Sequence, residues 1–327
     1  MMGPDAGSAR AVIREGTRRL QAAGVLLARP STARATRIRD MIRTVQALAG
    51  VNAQSDRINP VGGGARHEAE WLLSRLVNAS PLELYLREEE LPQEAINHFF
   101  AQIEARAAGA PLQYLLGETE FCGTRCVVAP GVFIPRPETE AIVEAAVETL
   151  RARAANMGRA LRVLDLGTGS GCIAVALAKA VSTCVVVGVE LSWKALCIAR
   201  RNVERHDLEG RVHLVHGQWT DALRGAFDGI ISNPPYVPSA HVDCLPLDVR
   251  QEPRLSLDGG PDGMRVLFQL MALAPRLLAA GGIMALECGE EQVTQLLRAV
   301  QGSPWVASVK AVHDLAGRPR GILIHAR

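Results

Sequence analysis

The sequence predicts an α/β protein: a Rossmann-like domain, with a mostly parallel sheet and helices on both faces, that follows a small N-terminal all-α domain and is joined to it by a β-hairpin. Three observations lead there. From Leu161 onward β-rich runs alternate with helical ones, the pattern of parallel strands joined by crossover helices. Between His67 and Leu116 the apolar residues recur at helical spacing. A length of 327 residues exceeds one minimal domain and suits two, at roughly 100–200 residues each.

In chain order, Val12, Ile13 and Leu20, then Ile38, Ile42, Val45 and Leu48, predict one or two amphipathic helices between Arg10 and about Ala49. The breaker run Asn59-Pro-Val-Gly-Gly-Gly64 follows, so residues 1–60 are set apart as an N-terminal extension, partly helical or disordered. Residues 61–118 read as a helical domain with two stripes: Ala69, Leu72, Leu73, Leu76 and Ile96, Phe99, Phe100, Ile103. Ser80-Pro81 and Leu91-Pro92 punctuate it, and Gly109 and Pro111 close it. Residues 119–136 read as a hairpin connector, with two short strands from Phe121 to Ile134 around Ala129-Pro-Gly131. Residues 137–327 carry the α/β domain. It opens with a helix from Glu138 to Leu150, and its strands run from Arg162 to Leu166, Val185 to Glu190, Val212 to His216, Gly229 to Ser232, Gly282 to Glu287 and Gly321 to His325.

Composition narrows the partners. Apolar residues make up 48% and charged residues 21%, enough for globular cores. With 36 basic and 34 acidic residues the formal net charge is +2, which supplies none of the basic field that phosphate-dominated binding requires. No direct nucleic-acid partner is expected, and the Arg-rich residues 10–39 read as a solvated helix face. Seven cysteines, several in apolar runs, point to reduced thiols and a cytoplasmic setting. The Arg- and Ala-rich first 36 residues resemble a transit peptide only faintly and lack the apolar core of a secretion signal. Cys122 and Cys126 have a spacing that suits a metal, but no second Cys/His pair stands at zinc-site spacing, so no metal is expected. Lys179 and Arg276 interrupt the most apolar stretches before the ~18 uninterrupted residues of a membrane span are reached, so no membrane partner is expected.

The chemistry concentrates in two segments. Val163-Leu-Asp165-Leu-Gly167-Thr168-Gly169-Ser170-Gly171 follows an apolar strand and opens a helix from Cys172 to Ala180, a setting in which glycines let the backbone approach a ligand at a helix N-terminus. Its glycine spacing is not that of the dinucleotide fingerprint. Asp165 would repel a pyrophosphate and suits a cationic sulfonium ligand, so the loop looks built for S-adenosylmethionine. Glu190 ends the next strand, 25 positions after Asp165, where an acidic residue can accept from both ribose hydroxyls.

Asn233-Pro234-Pro235-Tyr236 follows the strand that ends at Ser232, at the carboxyl edge of the sheet where open α/β folds bind their ligands. Two prolines stiffen the backbone and hold its carbonyls, Asn233 offers an amide that both donates and accepts, and Tyr236 offers an aromatic wall. An amide nitrogen is a poor nucleophile because its lone pair is delocalised. Acceptors from Asn233 and Pro234 can grip its hydrogens and aim that lone pair at a methyl carbon, a gain of orientation and electrostatics.

With these residues in view, the chain resembles the HemK/PrmC family of release factor glutamine methyltransferases over roughly Ala65 to Arg320. The resemblance rests on Pro111-Leu-Gln-Tyr-Leu-Leu-Gly117, Phe121-Cys-Gly123, Ile134-Pro-Arg-Pro-Glu-Thr-Glu140, Asp165 to Gly171, Asn233 to Tyr236, Glu252-Pro253 with Asp258-Gly-Gly260, and Asp314-Leu-Ala-Gly-Arg318. The Asn-Pro-Pro-Tyr turn alone does not discriminate, since adenine-N6 and cytosine-N4 DNA methyltransferases share it; Ile-Pro-Arg-Pro-Glu-Thr-Glu is the specific piece. The resemblance implies methyl transfer from S-adenosylmethionine to the side-chain amide N5 of the glutamine in the Gly-Gly-Gln motif of a peptide chain release factor, by a monomer whose helical domain recognises the substrate. It also implies that Gly167, Thr168, Gly169, Ser170 and Gly171 line the cofactor with Asp165 and Asn233, that Glu190 holds the ribose, and that Trp219 flanks the adenine. Asn233, Pro234, Pro235 and Tyr236 then hold the substrate glutamine. Arg136 and Glu138 read equally as a structural ion pair or as part of the pocket floor. Glu190 stands where Asp is more usual, and Gln218 where many members have an acid. Alternative readings are methylation of a ribosomal-protein glutamine, methylation of a nucleic-acid amino group, and a non-catalytic binding module.

Overall fold

The computed structural model describes residues 7–24, 64–219, 223 and 225–327. The chain divides into two compact units. One takes the chain as far as Glu120 with Val128–Pro130 and Pro246–Gln251; the other takes Phe121–Val127, Gly131–Leu245 and Glu252–Arg327.

The first unit is helical: α1 (Ala9–Gly24), α2 (Ala65–Val77), α3 (Pro81–Leu86), α4 (Gln93–Ala107) and α5 (Leu112–Leu116). Its boundaries follow from capping chemistry. Asn78 ends α2 in the left-handed conformation, and Ser80 caps α3 in a reciprocal box with Glu83. The two predicted stripes place Leu72, Leu73, Phe99 and Ile103 fully inside. The helix expected from Val12, Ile13 and Leu20 forms as α1, but it is not set apart from the helical unit. Val12, Ile13 and Leu20 are buried, and a Cβ on Gly16 would lie 2.5 Å from Phe99 Cζ, so α1 packs directly on α4 as part of this core. The helical reading of residues 25–49 and the breaker run up to residue 63 lie outside the described residues.

Strands β1 (Glu118–Phe121) and β2 (Thr124–Val127) form the hairpin. Its turn is at Cys122-Gly123, not at Ala129-Pro-Gly131 as the sequence suggested. Both turn residues have positive φ, +48° and +65°, the condition for a two-residue turn whose twist matches its strands.

The second unit continues with α6 (Pro137–Asn156), β3 (Leu161–Leu166), α7 (Cys172–Ala180), β4 (Cys184–Glu190), α8 (Trp193–Arg205), β5 (Val212–His216) and β6 (Phe227–Ser232). A loop holding the short β7 (Val237–Pro238) and β8 (Asp258–Gly260) leads to α9 (Arg265–Leu277), β9 (Leu278–Glu287), α10 (Glu290–Val300), β10 (Val306–His313) and β11 (Pro319–Ala326). The seven-stranded sheet has the order β10-β11-β9-β6-β3-β4-β5, parallel from β9 to β5, with β11 antiparallel to both its neighbours. Strand alternation feeds two cores. Val163, Val186, Ile231 and Ile283 join α6 and α7 on one face, while Leu164, Val189, Ile230 and Met284 join α9 and α10 on the other. Each such side chain contributes roughly 1.5–3 kcal/mol by burial. Strand β10 escapes the sequence reading because only Val306 and Val312 are buried along it, as befits an edge strand carrying the charged Lys310.

The strand order positions the site. From β3 the chain moves outward through β4 to β5, then returns to lay β6 on the opposite side of β3. The loops after β3 and β6 therefore leave the sheet side by side at its carboxyl edge, the switch point of an open α/β fold.

Candidate active site

The loop after β3 is held by backbone bonds. Gly167 and Thr168 both donate to the Val189 carbonyl, at 2.9 and 3.0 Å, and Gly171 donates to the Thr168 carbonyl at 2.7 Å just before α7. Gly169 has φ +56°, and a Cβ there would meet nothing nearer than the Gly167 carbonyl oxygen at 4.0 Å, so the loop presents bare backbone to open space. Asn202 on α8 supports the same loop, donating to the carbonyls of Ser170 at 2.8 Å and Val127 at 2.9 Å.

Asp165 does not face that space. Its carboxylate is fully buried and accepts from the Thr168 hydroxyl and the Ala174 backbone N–H, which braces the loop against the first turn of α7. Burial pushes its pKa up to about 7 against those two hydrogen bonds. The expectation that Asp165 meets a ligand cation is therefore corrected: it acts from beneath the loop. Glu190 does face the space. Its Oε2 accepts from Gly169 N–H at 2.8 Å and its Oε1 from Ser192 N–H at 2.7 Å, so the carboxylate is pinned at the rim with lone pairs remaining on both oxygens.

A cavity of about 410 Å³ opens over these groups. Gly167 to Ser170, Glu190, Trp219, Asn233 and Pro235 all line it, so most of the sequence-chosen residues converge on one space. Trp219 sits in the left-handed region at φ +48°, with its ring 3.5 Å from where a Gly167 Cβ would be. Gln218 lines the cavity beside it. Gly171 lies behind the lining, where a Cβ would come within 3.0 Å of Ala199 on α8.

The turn after β6 divides its residues between cavity and core. Asn233 lines the cavity, and its Nδ2 donates to the Thr139 hydroxyl at 3.0 Å. Pro234 is buried. Tyr236 is not the expected aromatic wall. Its hydroxyl turns away and donates to Glu287 Oε1 at 3.1 Å, and burial raises its pKa so that it stays protonated. Gln292 Nε2 donates to the Tyr236 carbonyl at 3.0 Å, fixing the end of the turn. Glu287, the last residue of β9, is itself buried, which pushes its pKa up to about 7 despite the hydroxyls of Thr139 and Tyr236. Its Oε2 has no hydrogen-bond partner, although the Thr139 hydroxyl is near enough to favour the ionised form.

Arg136 pairs with the buried Glu252, which also accepts from Ile134 N–H at 2.9 Å, so the segment before α6 is tied to the loop between β7 and β8. Glu138 lies instead 3.8 Å from Arg320, so the two residues considered together from sequence find separate ion-pair partners. Sequence reasoning passed over Phe133, Thr139, Leu255, Arg265 and Gln269, which also line the cavity. Thr139 falls within Ile134-Pro-Arg-Pro-Glu-Thr-Glu140, so that motif held the available signal. Among the described residues no group of three or more His, Cys, Asp or Glu is placed to hold a metal, and no helix is long and apolar enough to cross a membrane.

Residues 126–245 match the family model described as methyltransferase small domain, and residues 59–117 match the PrmC N-terminal domain. The chain is 41% identical over 267 residues to the release factor glutamine methyltransferase of Moorella thermoacetica, covering 80% of this chain and 92% of that protein. It is 44% identical over 236 residues to the release factor glutamine methyltransferase of Geobacter sulfurreducens, covering 71% and 80%. A solved structure of the release factor-specific protein-(glutamine-N5) methyltransferase from Alicyclobacillus acidocaldarius is 33% identical, covers 61% of this chain and 97% of that one, and has a TM-score of 0.37.

Proposed function

The chain belongs to the release factor glutamine methyltransferases, and from that premise we propose that it transfers the methyl group of S-adenosylmethionine to the side-chain amide N5 of the glutamine in the Gly-Gly-Gln loop of a peptide chain release factor. The observation that carries this reading is the meeting of Gly169, Glu190, Trp219 and Asn233 on one cavity of about 410 Å³.

The residues fit the cofactor. Bare backbone at Gly169 admits it closely, Glu190 keeps lone pairs for two ribose hydroxyls, and Trp219 supplies a face for the adenine. When bound, S-adenosylmethionine supplies an electrophilic methyl on a sulfonium. Asn233 then does the orienting: with Nδ2 committed to Thr139, its Oδ1 is the atom left to accept a hydrogen of the substrate amide. The stiff Pro234-Pro235 backbone holds this acceptor in place, so catalysis is placement of a weak nucleophile without a covalent intermediate. Tyr236 contributes from behind, through Glu287. Asp165 contributes by bracing the loop.

We assign the helical residues 61–118 to recognition of the release factor, residues 119–136 to the connector and residues 137–327 to the methyltransferase domain. A near-balanced net charge of +2 supports a protein substrate over nucleic acid. We place the enzyme in the cytoplasm as a monomer. The test is mass spectrometry of a purified release factor after incubation with the protein and S-adenosylmethionine. One methyl on the Gly-Gly-Gln glutamine is expected; methyl transfer to DNA or to a ribosomal protein with none to the factor overturns the reading.

A further inference from the structure

We propose that Thr139 is a positioning residue for methyl transfer: its hydroxyl, held by the Glu287 carboxylate, fixes the Asn233 amide with Oδ1 toward the substrate. This rests on the proposed function. A primary amide has an oxygen and a nitrogen of nearly equal size, and only its hydrogen-bond partners decide which way it faces. A reversed Asn233 would offer N–H groups to an amide nitrogen whose hydrogens need acceptors, and the grip would be lost.

The structure supplies the partner that decides. Asn233 Nδ2 donates to Thr139 Oγ1 at 3.0 Å, across 94 positions of chain, and both residues line the cavity. A threonine hydroxyl can donate as well as accept, so it fixes an amide only if its own proton is committed elsewhere. Near it stands Glu287, buried, with Oε1 taken by the Tyr236 hydroxyl, Oε2 free of any other donor, and the Thr139 hydroxyl favouring its ionised form. An ionised carboxylate only accepts. In this arrangement the Thr139 proton turns toward Glu287, which leaves a Thr139 lone pair for Asn233 Nδ2. Thr139 itself is fixed by its place in the first turn of α6, where its N–H donates to the Arg136 carbonyl at 3.1 Å. The backbone that carries the hydroxyl is thereby anchored at the helix end.

The experiment compares wild type, Thr139→Val and Thr139→Ser at about pH 8, where Glu287 is ionised. It measures steady-state methylation of a release factor, the Kd for S-adenosylmethionine, and the side-chain amide resonances of Asn233, assigned by their loss in Asn233→Ala. Valine keeps the shape and removes the hydroxyl. The expected result is kcat lower by about tenfold to hundredfold in Thr139→Val, KM and cofactor Kd within about twofold, recovery of most of kcat in Thr139→Ser, and a shifted, faster-exchanging Asn233 amide in the valine variant alone. Wild-type kcat in Thr139→Val overturns the proposal. So does a parallel loss of cofactor binding, or failure of serine to restore activity, since either marks a merely structural role. If the wild type does not methylate the factor at all, the functional reading fails by itself. The Asn233 resonances then decide the positioning claim: no difference between wild type and Thr139→Val overturns it.

Discussion

Gly169 and Glu190 are joined by a single hydrogen bond, 2.8 Å from the Gly169 backbone N–H to Glu190 Oε2, which ties the loop after β3 to the end of β4. The same carboxylate sets the loop and faces the cavity. Glu190→Ala is expected to weaken S-adenosylmethionine binding about tenfold to hundredfold, corresponding to about 1.5–3 kcal/mol for hydrogen bonds to a charged group. Isothermal titration checks it; an unchanged Kd would remove Glu190 from the cofactor site.

Asn233 and Tyr236 are three positions apart on one turn, yet face different surroundings. Asn233→Ala is expected to lower kcat about a hundredfold or more, the scale of a lost oriented polar contact, with a much smaller change in cofactor Kd. Tyr236→Phe removes a donor from the buried Glu287. Its expected signature is a loss of about 1–3 kcal/mol in stability by denaturant titration. A Tyr236→Phe variant of native stability with a strongly raised KM for the release factor would return the ring to the substrate surface.

Two buried acids give the fold a pH dependence with a definite sign. Burial raises Asp165 and Glu287 to about 7 in the folded chain, from ordinary carboxyl values of 3.8 and 4.5. Between roughly pH 4 and 7 the unfolded chain has released these protons while the folded chain keeps them, so stability falls as pH rises through the folded values. The total is on the order of several kcal/mol. Thermal melts should show Tm declining from about pH 5 to pH 8, and Glu287→Gln should flatten part of that slope. A Tm that climbs across this interval would contradict the burial of both groups.

Gly16 leaves no room beside Phe99. Gly16→Val is expected to destabilise the helical unit by about 1–3 kcal/mol through overpacking, read as a lower denaturant midpoint. A neutral result would mean that α1 is set apart from this core, as the sequence suggested of residues 1–60.

Elements whose pattern is local are legible in the residues alone. Strands β3 to β6 show themselves as short apolar runs between breakers, α7 as a helix opening on glycines, and the Gly167–Gly171 and Asn233–Tyr236 segments by residue type and place. Edge strand β10 did not, because burying little more than Val306 and Val312 leaves no alternation to read. The hairpin turn was misplaced because a proline-glycine pair is a stronger compositional signal than Cys122-Gly123, whose positive φ values are imposed by the strands it joins. Where the polar side chains point emerges only once the chain has folded. Folding put Asp165 beneath its loop, turned Tyr236 to Glu287, gave Arg136 to Glu252, and brought Thr139 to Asn233 from 94 positions away. Periodicity records which face of an element is buried, whereas the direction of a polar group is settled by partners that the chain brings together only on folding.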